Sequence, residues 1–385
     1  MSDTELDPAS AAAAEAKTAS AGSALRTAEW ISDEGQFRGG ELPLWNRLRP
    51  APARAQRRGQ WIAAIAWGLV LALAAIAVLR IVWHDGAWPL VLINAFTMYL
   101  YLPAYAVLAV AMFTRRRALS IASAAVVACH LAWIAPDFRP PKSTAQAAVE
   151  NPAGARSIRI YYVNVHASNR QLDAILAEAR SYDPDVIVLA EMQRWWWTEM
   201  MRRRPLADYP YGTDLDRRNA GDVGVFSRLP VRRFGQILAA GRYVLALDLD
   251  LGDQSLRLFA LHSPRPTPDS RDQYYEFWNL IERLVTAAQG PVVVIGDFNA
   301  TQHSRIYRQL QIGGLRSAHD DRGRGLATTW PQWELLSPLI RIDQAFLSPE
   351  VECISIRAGD APGSDHRSLI VDLTVRPQQP GHSDR

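Results

Sequence analysis

Three long apolar runs near the N-terminus most constrain how this chain can fold. Residues 61–83 carry one charge, Arg80, whereas residues 88–113 and 118–135 carry none. Each run is long enough to cross about 30 Å of hydrocarbon as a helix. Buried core helices are the alternative, but these runs follow one another with only short polar loops between them. The sequence therefore predicts three transmembrane helices within residues 60–135.

Positive charge predicts the orientation of these helices. Arginines cluster before the first run and between the second and third, as Arg47, Arg49, Arg54, Arg57, Arg58, Arg115, Arg116 and Arg117. Because Arg and Lys concentrate on the cytoplasmic side, the N-terminus is predicted to be cytoplasmic. With three helices, the remainder is predicted to be extracytoplasmic, in the periplasm of a Gram-negative cell, on a multi-pass inner-membrane protein. Losing one helix would reverse this placement.

The rest of the chain is predicted to contain one globular domain, a linker and two disordered terminal segments. Residues 1–59 begin with an Ala-, Ser- and Thr-rich stretch that cannot bury enough apolar surface, which predicts a disordered cytoplasmic arm. Residues 136–157 lack clear periodicity and are predicted to be a linker. A globular domain is predicted over residues 158–376, followed by a disordered tail at 377–385.

Charge and cysteine content limit what the C-terminal part can do. From residue 151 onward, 28 Arg and Lys balance 28 Asp and Glu, so no general basic field attracts nucleic acid. There are only two cysteines, Cys129 and Cys353, and Cys129 lies in an apolar run. A disulfide framework and a Cys-based zinc site are therefore excluded.

Short apolar runs of strand length dominate the C-terminal part. Two of them, at 158–163 and 186–189, flank a helical pattern at 172–180, and a long helix is predicted at 271–288. Further strands are predicted at 223–226, 243–249, 256–261, 292–295, 344–347 and 369–375. Many strands with few helices favour an α/β fold of two mixed β-sheets packed face to face, with helices outside.

Polar side chains follow or border these predicted strands. They are Asn164, Glu191, His262, Asp297, Asn299, Asp343, Asp365 and His366. Carboxylates, amides and imidazoles that converge at strand ends would form a site for a hard cation, surrounded by acid and base groups. Oxygen ligands of this kind favour Mg²⁺ or Mn²⁺.

The ordered series of motifs resembles the endonuclease/exonuclease/phosphatase superfamily of metal-dependent phosphoesterases, which includes DNase I-like nucleases, sphingomyelinases and inositol-polyphosphate phosphatases. The matching segments are Val-Asn164-Val, Pro184 to Glu191, Gly221 to Pro230, His262-Ser, Gly296-Asp-Phe-Asn299, Thr329-Trp-Pro331, Ile342-Asp343 and Ser364-Asp-His366. The resemblance implies a four-layer α/β sandwich with its active site at one edge of the paired sheets. The apolar N-terminal part lies outside it, as in a small membrane-anchored member. Val163 and Gln344 depart from the residues that many members carry at these positions.

The predicted metal ligands are three residues. Glu191 is the best ligand, although it could instead cap a helix, and Asn164 can add a neutral oxygen beside it. By the resemblance, Asp365 also approaches the metal. Asp365 is alternatively a residue that fixes the tautomer of His366.

Hydrolysis of a phosphoester gives the other residues a role. Asp297 is predicted to orient or deprotonate the attacking water, and Asn299 to hold the phosphate or that water. The two could instead form a turn stabilised by their own side chains. His366 would donate to a phosphate oxygen with Asp343 fixing its tautomer, and His262 would contact the phosphate or stabilise the leaving group.

Three consecutive tryptophans, Trp195, Trp196 and Trp197, bear on the substrate. Neither a helix nor a strand can direct all three into one core, so at least one is predicted to face solvent, ligand or lipid. The alternative places one in the core and two under arginine stems such as that of Arg202.

The sequence is compatible with three functions. They are a membrane-anchored phosphoesterase acting on a lipid head group or another small phosphoester, an extracytoplasmic nuclease, and a non-catalytic binding module. The predicted partners are the lipid bilayer and a phosphoester substrate, either a lipid head group or nucleic acid. No protein partner is predicted.

Overall fold

The computed structural model describes residues 52–139, 155–213, 221–323, 325–333 and 337–376. Several predictions fall outside these residues: the arm up to residue 51, most of the linker at 140–154, and the tail at 377–385.

The first and third apolar runs each form one long helix. Helix α1 covers Pro52–Val82 and contains residues 61–82 of the first run. The third run forms a helix at Arg117–Ile134, which a 3₁₀ turn at Ala135–Phe138 follows. Within them, Arg57–Val82 and Arg117–Phe138 are long and apolar enough to cross a membrane. Helix α1 begins before the boundary predicted at residue 60.

The second apolar run is broken into shorter helices. It forms α2 (Trp88–Ala95), the single turn α3 (Thr97–Leu100) and α4 (Leu102–Phe113), which precede α5 (Arg117–Ile134). The helices on either side of Phe96 meet at 71°, and the backbone of Phe96 leaves the helical region with φ −98° and ψ 21°. Residues 97–113 alone extend about 25 Å at 1.5 Å per residue. Two helices can therefore cross a membrane, or three if the bent pair forms one span.

Helices α1, α4 and α5 share one apolar cluster. Its members include Val70 and Leu73 of α1, Ala104 of α4 and Val126 of α5. Large apolar side chains on the remaining surface stay exposed, among them Ile65, Val78, Phe113 and Ile121. Many exposed large apolar side chains on long helices are typical of helices that contact lipid.

Two six-stranded β-sheets form the C-terminal domain. The order in the first sheet is β11 (Val351–Ala358), β12 (Leu369–Val375), β1 (Arg156–Asn164), β2 (Val186–Ala190), β4 (Val223–Ser227) and β3 (Tyr211–Gly212). The order in the second sheet is β5 (Val231–Ala239), β6 (Arg242–Asp250), β7 (Ser255–His262), β8 (Val292–Asp297), β10 (Asp343–Leu347) and β9 (Arg316–Ser317). In each sheet one parallel pair, β1 with β2 or β7 with β8, lies between antiparallel neighbours.

Helices connect the parallel pairs and cover the outer faces of the sheets. A parallel pair needs a crossover, and α6 (Leu172–Ser181) supplies it for the first sheet and α8 (Arg271–Ala287) for the second. Buried side chains on α8 recur at helical spacing, namely Tyr274, Phe277, Trp278, Ile281 and Val285. The other helices are α7 (Arg194–Arg203), α9 (Arg305–Ile312) and α10 (Ala318–Arg322).

Alternation along the strands produces separate apolar layers. On β1, Ile160 and Tyr162 face the core between the two sheets, whereas Tyr161 and Val163 pack with α6 and α7. A third cluster packs α8 against the second sheet. The predicted α/β sandwich of two mixed sheets flanked by helices is confirmed.

The three tryptophans take different environments on α7. Trp196 is fully buried, whereas Trp195 and Trp197 are partly exposed. The guanidinium of Arg170 lies 4.9 Å from the centre of the Trp195 ring, and the Trp197 Nε1–H donates to the carbonyl oxygen of Gly221 at 2.9 Å. One tryptophan thus lies in the core, and the arginine that covers a second is not Arg202.

Candidate active site

The carboxyl ends of the parallel strands bring most of the predicted site residues to one edge of the sandwich. Asn164 ends β1, and Glu191 directly follows β2. His262 and Asp297 end β7 and β8 and lie opposite each other in register, while Asp343 begins β10 and pairs with Asp297. All five are buried. Their convergence follows from the topology, because neighbouring parallel strands end at the same sheet edge.

The Asn164 side chain lies at the centre of this group. Its Nδ2 lies 3.2 Å from Glu191 Oε1, 3.1 Å from Asp297 Oδ2 and 3.4 Å from His366 Nε2. Its Oδ1 accepts the backbone N–H of His166 at 3.0 Å. In this conformation the amide nitrogen holds the carboxylates in place. The metal role of Asn164 stays a prediction, and it requires the opposite orientation of the amide.

Glu191 is held as a carboxylate by donors on several sides. Its Oε2 accepts the backbone N–H of Ala167 at 3.0 Å, and its Oε1 accepts Arg265 Nη2 at 3.2 Å. Burial acts to raise the pKa of Glu191. The charge of His262 and the hydrogen bonds from Asn164 and Ala167 outweigh burial, so the pKa lies below its usual value.

His262 is oriented by the carboxylate of Asp222, which also forms an ion pair with Arg242. Nδ1 of His262 lies 2.7 Å from Asp222 Oδ2, which also accepts Arg242 Nη1 at 2.5 Å. Burial lowers the pKa of His262, but Asp222, Asp297 and Glu191 together raise it above its ordinary value. We call His262, Asp222 and Arg242 the His262 arm.

His366 is oriented in the same manner from the other side. Nδ1 of His366 lies 2.8 Å from Asp343 Oδ2, and the hydroxyl of Tyr162 donates to Asp343 Oδ1 at 3.0 Å. Burial lowers the pKa of His366, but Asp343 and Asp297 outweigh it and raise the pKa to about 9. We call His366, Asp343 and Tyr162 the His366 arm.

Asp297 lies between the two arms. Its Oδ2 is 3.8 Å from the Nε2 atoms of both His262 and His366. Burial raises the pKa of Asp297, whereas His366 acts to lower it. Asp297 Oδ1 accepts the backbone N–H of Asn299 at 2.8 Å, and Asn299 Nδ2 donates to the carbonyl oxygen of Ser263 at 3.0 Å. The turn considered as an alternative is present, and contact between Asn299 and phosphate stays a prediction.

Asp365 stands apart from the metal-binding groups. Its Oδ2 accepts Trp330 Nε1 at 3.1 Å. Among the described residues, the acidic and histidine groups whose ligand atoms lie within 4.8 Å of one another are Glu191–His262–Asp297 and Asp297–Asp343–His366. Asp365 belongs to neither, so its metal role also stays a prediction.

The side chains present fit a divalent cation. Nε2 of His262 is buried without a hydrogen-bond partner in the described part of the chain, 3.6 Å from Glu191 Oε1 and 3.8 Å from Asp297 Oδ2. A buried polar atom without a partner is costly, and so are two adjacent buried carboxylates. A cation between the carboxylates, with a phosphoryl oxygen beside it, would relieve both costs. Carboxylate oxygens suit Mg²⁺ and Mn²⁺, and the identity of the ion is not fixed by these residues.

Comparison with known families agrees with this geometry. A statistical model of the Endonuclease/Exonuclease/phosphatase family matches residues 162–366, more than half of the chain. The chain belongs to this family. Members of the family generally use divalent metals, and the family implies phosphoester hydrolysis. No functionally curated protein is significantly similar to the chain in sequence.

Several solved structures are similar to part of the chain. An endonuclease/exonuclease/phosphatase from Beutenbergia cavernae DSM 12333 is 18% identical, covering 59% of this chain and 73% of its own, with a TM-score of 0.45. A family protein from Bacteroides thetaiotaomicron is 16% identical over 60% of this chain and 99% of its own, with a TM-score of 0.46. A 3′ phosphatase from Neisseria, bound to a product DNA hairpin, is 16% identical over 56% and 98%, with a TM-score of 0.44.

Several residues of the site are absent from the sequence-based prediction. They are Asp222, Tyr162 and Arg265, each of which contacts a predicted residue, and Arg242, which contacts Asp222. A signal for Asp222 did exist, because it lies in the Gly221 to Pro230 segment that matches the family and directly precedes β4. No local pattern marks the other three.

Proposed function

We propose that this protein is a membrane-anchored, divalent-metal-dependent phosphoesterase. It hydrolyses a phosphodiester or phosphomonoester bond by in-line attack of water. The observation that carries the proposal is the placement of Asp297 between two carboxylate-supported histidines, with Glu191 beside them. Membership of the family supports the reaction class.

Glu191, with Asn164 and Asp365 as further ligands, would hold a Mg²⁺ or Mn²⁺ ion, and such an ion would supply positive charge that offsets the charge of the phosphoryl oxygens. Asp297 orients the attacking water and accepts its proton. The pKa of His366, about 9, keeps the ring an imidazolium at neutral pH, so His366 donates Nδ1–H to Asp343 and a second hydrogen bond from Nε2 to a phosphoryl oxygen.

The remaining predicted residues complete the site. His262 directs its unpartnered Nε2 at the same space and contacts a phosphoryl oxygen or the leaving oxygen. Asn299 follows Asp297 at the mouth of the site and holds the phosphate or the water. Asp343 keeps the Nδ1 proton on His366, so that Nε2 points at the substrate.

We propose that the substrate is the phosphorylated head group of a membrane lipid. A contact between the apolar helices and the catalytic domain supports this choice: the hydroxyl of Tyr99 in α3 donates to the carbonyl oxygen of Leu339 at 3.0 Å. Leu339 lies in a segment whose ends are joined by backbone pairing of Trp330 with Ile340.

The same segment reaches the active site. Its Trp330 donates to Asp365, the neighbour of His366, and the Trp330 ring lies 6.5 Å from the His366 ring, centre to centre. Two of its apolar side chains are exposed, Trp333 by 56% and Leu339 by 36%. Exposed indole rings favour the membrane–water interface, where a lipid head group would enter the site.

The proposal includes a location. The chain is a multi-pass protein of the cell inner membrane with an extracytoplasmic catalytic domain, since an odd number of spans places the two ends on opposite sides. An alkaline phosphatase fused to the C-terminus is expected to be active. An inactive but stable fusion would contradict the orientation.

Two other functions are less well supported. An extracytoplasmic nuclease would need a basic stripe, but Arg202 and Arg203 pair with Glu199 and Asp173 at 2.6 and 2.5 Å. A non-catalytic binding module would have no need for the complete set of acid, base and metal-binding side chains.

Activity is tested on the full-length chain in detergent micelles, with bis-p-nitrophenyl phosphate and Mn²⁺ or Mg²⁺. We expect turnover that EDTA abolishes and that Glu191→Gln and Asp297→Asn each eliminate. Arg233→Gln is the matched control, because the Arg233 side chain is 83% exposed and lies outside the site. Undiminished turnover in either site variant would contradict the assignment.

Substrate class is tested by comparing phosphate release from phospholipid vesicles with nicking of plasmid DNA. The lipid proposal predicts release from vesicles with little nicking. Robust nicking together with inert vesicles would establish the nuclease instead.

A further inference from the structure

A second cavity lies between the apolar helices and the catalytic domain. Its volume is about 810 Å³. Arg80 of α1 and Trp133 of α5 line one wall, and Tyr307 and Arg341 of the catalytic domain line another. The catalytic carboxylates and histidines described above do not line it. We call it the junction cavity.

Arg341 is the most informative residue of the junction cavity. It is only 5% exposed, and its Nε has no hydrogen-bond partner among the residues that the structure describes. Within the described ranges, no carboxylate lies at ion-pair distance from its guanidinium. A buried cation without an ion-pair partner is destabilising, so an anion is expected to occupy the space in front of it. Nδ1 of His319, also buried at the cavity wall, lacks a partner as well.

The carboxylates at the cavity wall are already engaged with other groups. Asp321 pairs with Arg316, and Asp320 accepts the hydroxyl of Tyr307 at 2.9 Å. The third, Asp137, faces a histidine at 3.2 Å. Among the described residues, none of these carboxylates forms an ion pair with Arg341 within 4.0 Å.

The balance of charge in the cavity is positive. Five arginines and three aspartates line it, and two of the arginines, Arg139 and Arg308, are exposed at the surface. Arg80 lies 4.6 Å from the centre of the Trp133 ring, near the end of the apolar helices where lipid head groups would lie. The guanidinium fork matches the geometry of a phosphate.

We propose that the junction cavity binds the phosphate of an anionic phosphoryl ligand, with Arg341 as its buried anchor and Arg139 and Arg308 at its entrance. The phosphate belongs either to a lipid head group or to a soluble phosphate. The site is separate from the catalytic cleft and does not depend on the proposed hydrolysis.

Binding is tested on the full-length protein in detergent, with Glu191→Gln and His366→Gln introduced together to disable the catalytic cleft. The probes are dioctanoyl phosphatidylglycerol, dioctanoylglycerol, which has the same chains without phosphate, and inorganic phosphate. We expect saturable binding of a phosphate-bearing probe and none of dioctanoylglycerol. Phosphatidylglycerol binding that inorganic phosphate does not displace identifies a lipid head group as the ligand. Inorganic phosphate binding that phosphatidylglycerol does not displace identifies soluble phosphate.

Substitutions of the arginines that line the junction cavity test whether the phosphate binds there. Arg341→Gln is expected to weaken binding by about tenfold or more, since a buried charge-assisted hydrogen bond is lost. Because Arg341→Gln could impair folding, the exposed pair Arg139→Gln and Arg308→Gln is measured as well, with an expected loss of several-fold. Arg233→Gln is the control and is expected to bind normally. Wild-type affinity in all cavity variants, or no binding of either phosphate probe, would overturn the proposal.

Discussion

The His262 arm and the His366 arm place the same chemistry on two sides of Asp297 but differ in burial. In both, a carboxylate lies 2.7–2.8 Å from Nδ1, and Nε2 lies 3.8 Å from Asp297. The Asp343 side chain is fully buried, whereas that of Asp222 is 13% exposed.

The third member of each arm shows the same contrast. Tyr162 is fully buried on the first sheet and reaches across to Asp343 on the second, so the His366 arm joins the two sheets. Arg242 has a side chain that is 35% exposed. We infer that the His366 arm serves both catalysis and stability, whereas the His262 arm serves catalysis with a smaller contribution to stability.

Removal of the imidazoles is expected to have the largest effect. His366→Gln should lower kcat by about 10²–10⁴-fold, the range for loss of an acid or base group. The His262→Gln variant should lose activity in the same range. Steady-state kinetics with bis-p-nitrophenyl phosphate measures both. Near wild-type kcat in either variant would remove that arm from the mechanism.

Removal of the supporting carboxylates should lower the stability of the fold by different amounts in the two arms. Asp343→Asn is expected to destabilise the fold by about 3–5 kcal/mol, because it leaves a buried charged imidazole without its partner. Asp222→Asn should cost less, about 1–3 kcal/mol, since the Asp222 side chain is 13% exposed and solvent reaches one side of the pair. Each should also lower activity by about 10–100-fold. Chemical denaturation measures the stabilities, and equal losses in the two variants would refute the contrast in burial.

The pH dependence of stability should follow the His366 arm. The folded-state pKa of His366, about 9, exceeds its unfolded value of about 6.5. The stabilisation is therefore complete below about pH 6.5 and is lost as pH rises through about 9. Thermal unfolding in EDTA should show this loss, and Asp343→Asn should weaken it. The same pH profile in Asp343→Asn and wild type would contradict the pairing.

The smallest effect is expected at the exposed end of the His262 arm. Arg242→Gln should change stability by about 1 kcal/mol or less, because the ion pair is partly solvated. Activity should fall only a few-fold. The control is Arg233→Gln on the neighbouring strand. A loss as large as that of Asp222→Asn would mean that Arg242 itself takes part in the reaction.

The sequence predicts strands and helices best where both faces are buried. Every predicted strand of the C-terminal domain is present, but the two-residue strands β3 and β9 and the longer strands β5 and β11 are absent from the prediction. Polar and partly exposed residues, such as Arg232 and Arg233 on β5 and Glu352 on β11, dilute their apolar patterns. Their positions are fixed by pairing with β6 and β12 rather than by local composition.

The broken second run illustrates another limit. Pro103 is the obvious helix breaker in this run, yet it lies in the first turn of α4, where a missing N–H is tolerated. The break occurs at Phe96 instead, next to a buried polar network in which Asn94 Nδ2 donates to Asp85 Oδ1 at 2.6 Å. Contacts of this kind depend on tertiary structure.

The active site likewise contains features that the sequence predicts and features that depend on tertiary contacts. Asn164, Glu191 and Asp297 were predictable because strand ends and ordered motifs mark them. The direction in which the Asn164 amide points, and the choice of Asp222 as the partner of His262, depend on side-chain contacts between distant strands. Spacing along the chain carries no information about either.

The central claim is that a divalent ion binds the Glu191 carboxylate, in the same site as the Asp297 carboxylate, His262 and His366. Anomalous diffraction from crystals of the full-length protein soaked in Mn²⁺ tests it most directly. We expect one strong peak in contact with Glu191, and its loss in Glu191→Gln. A site without a peak, or a peak remote from both carboxylates, would contradict the claim.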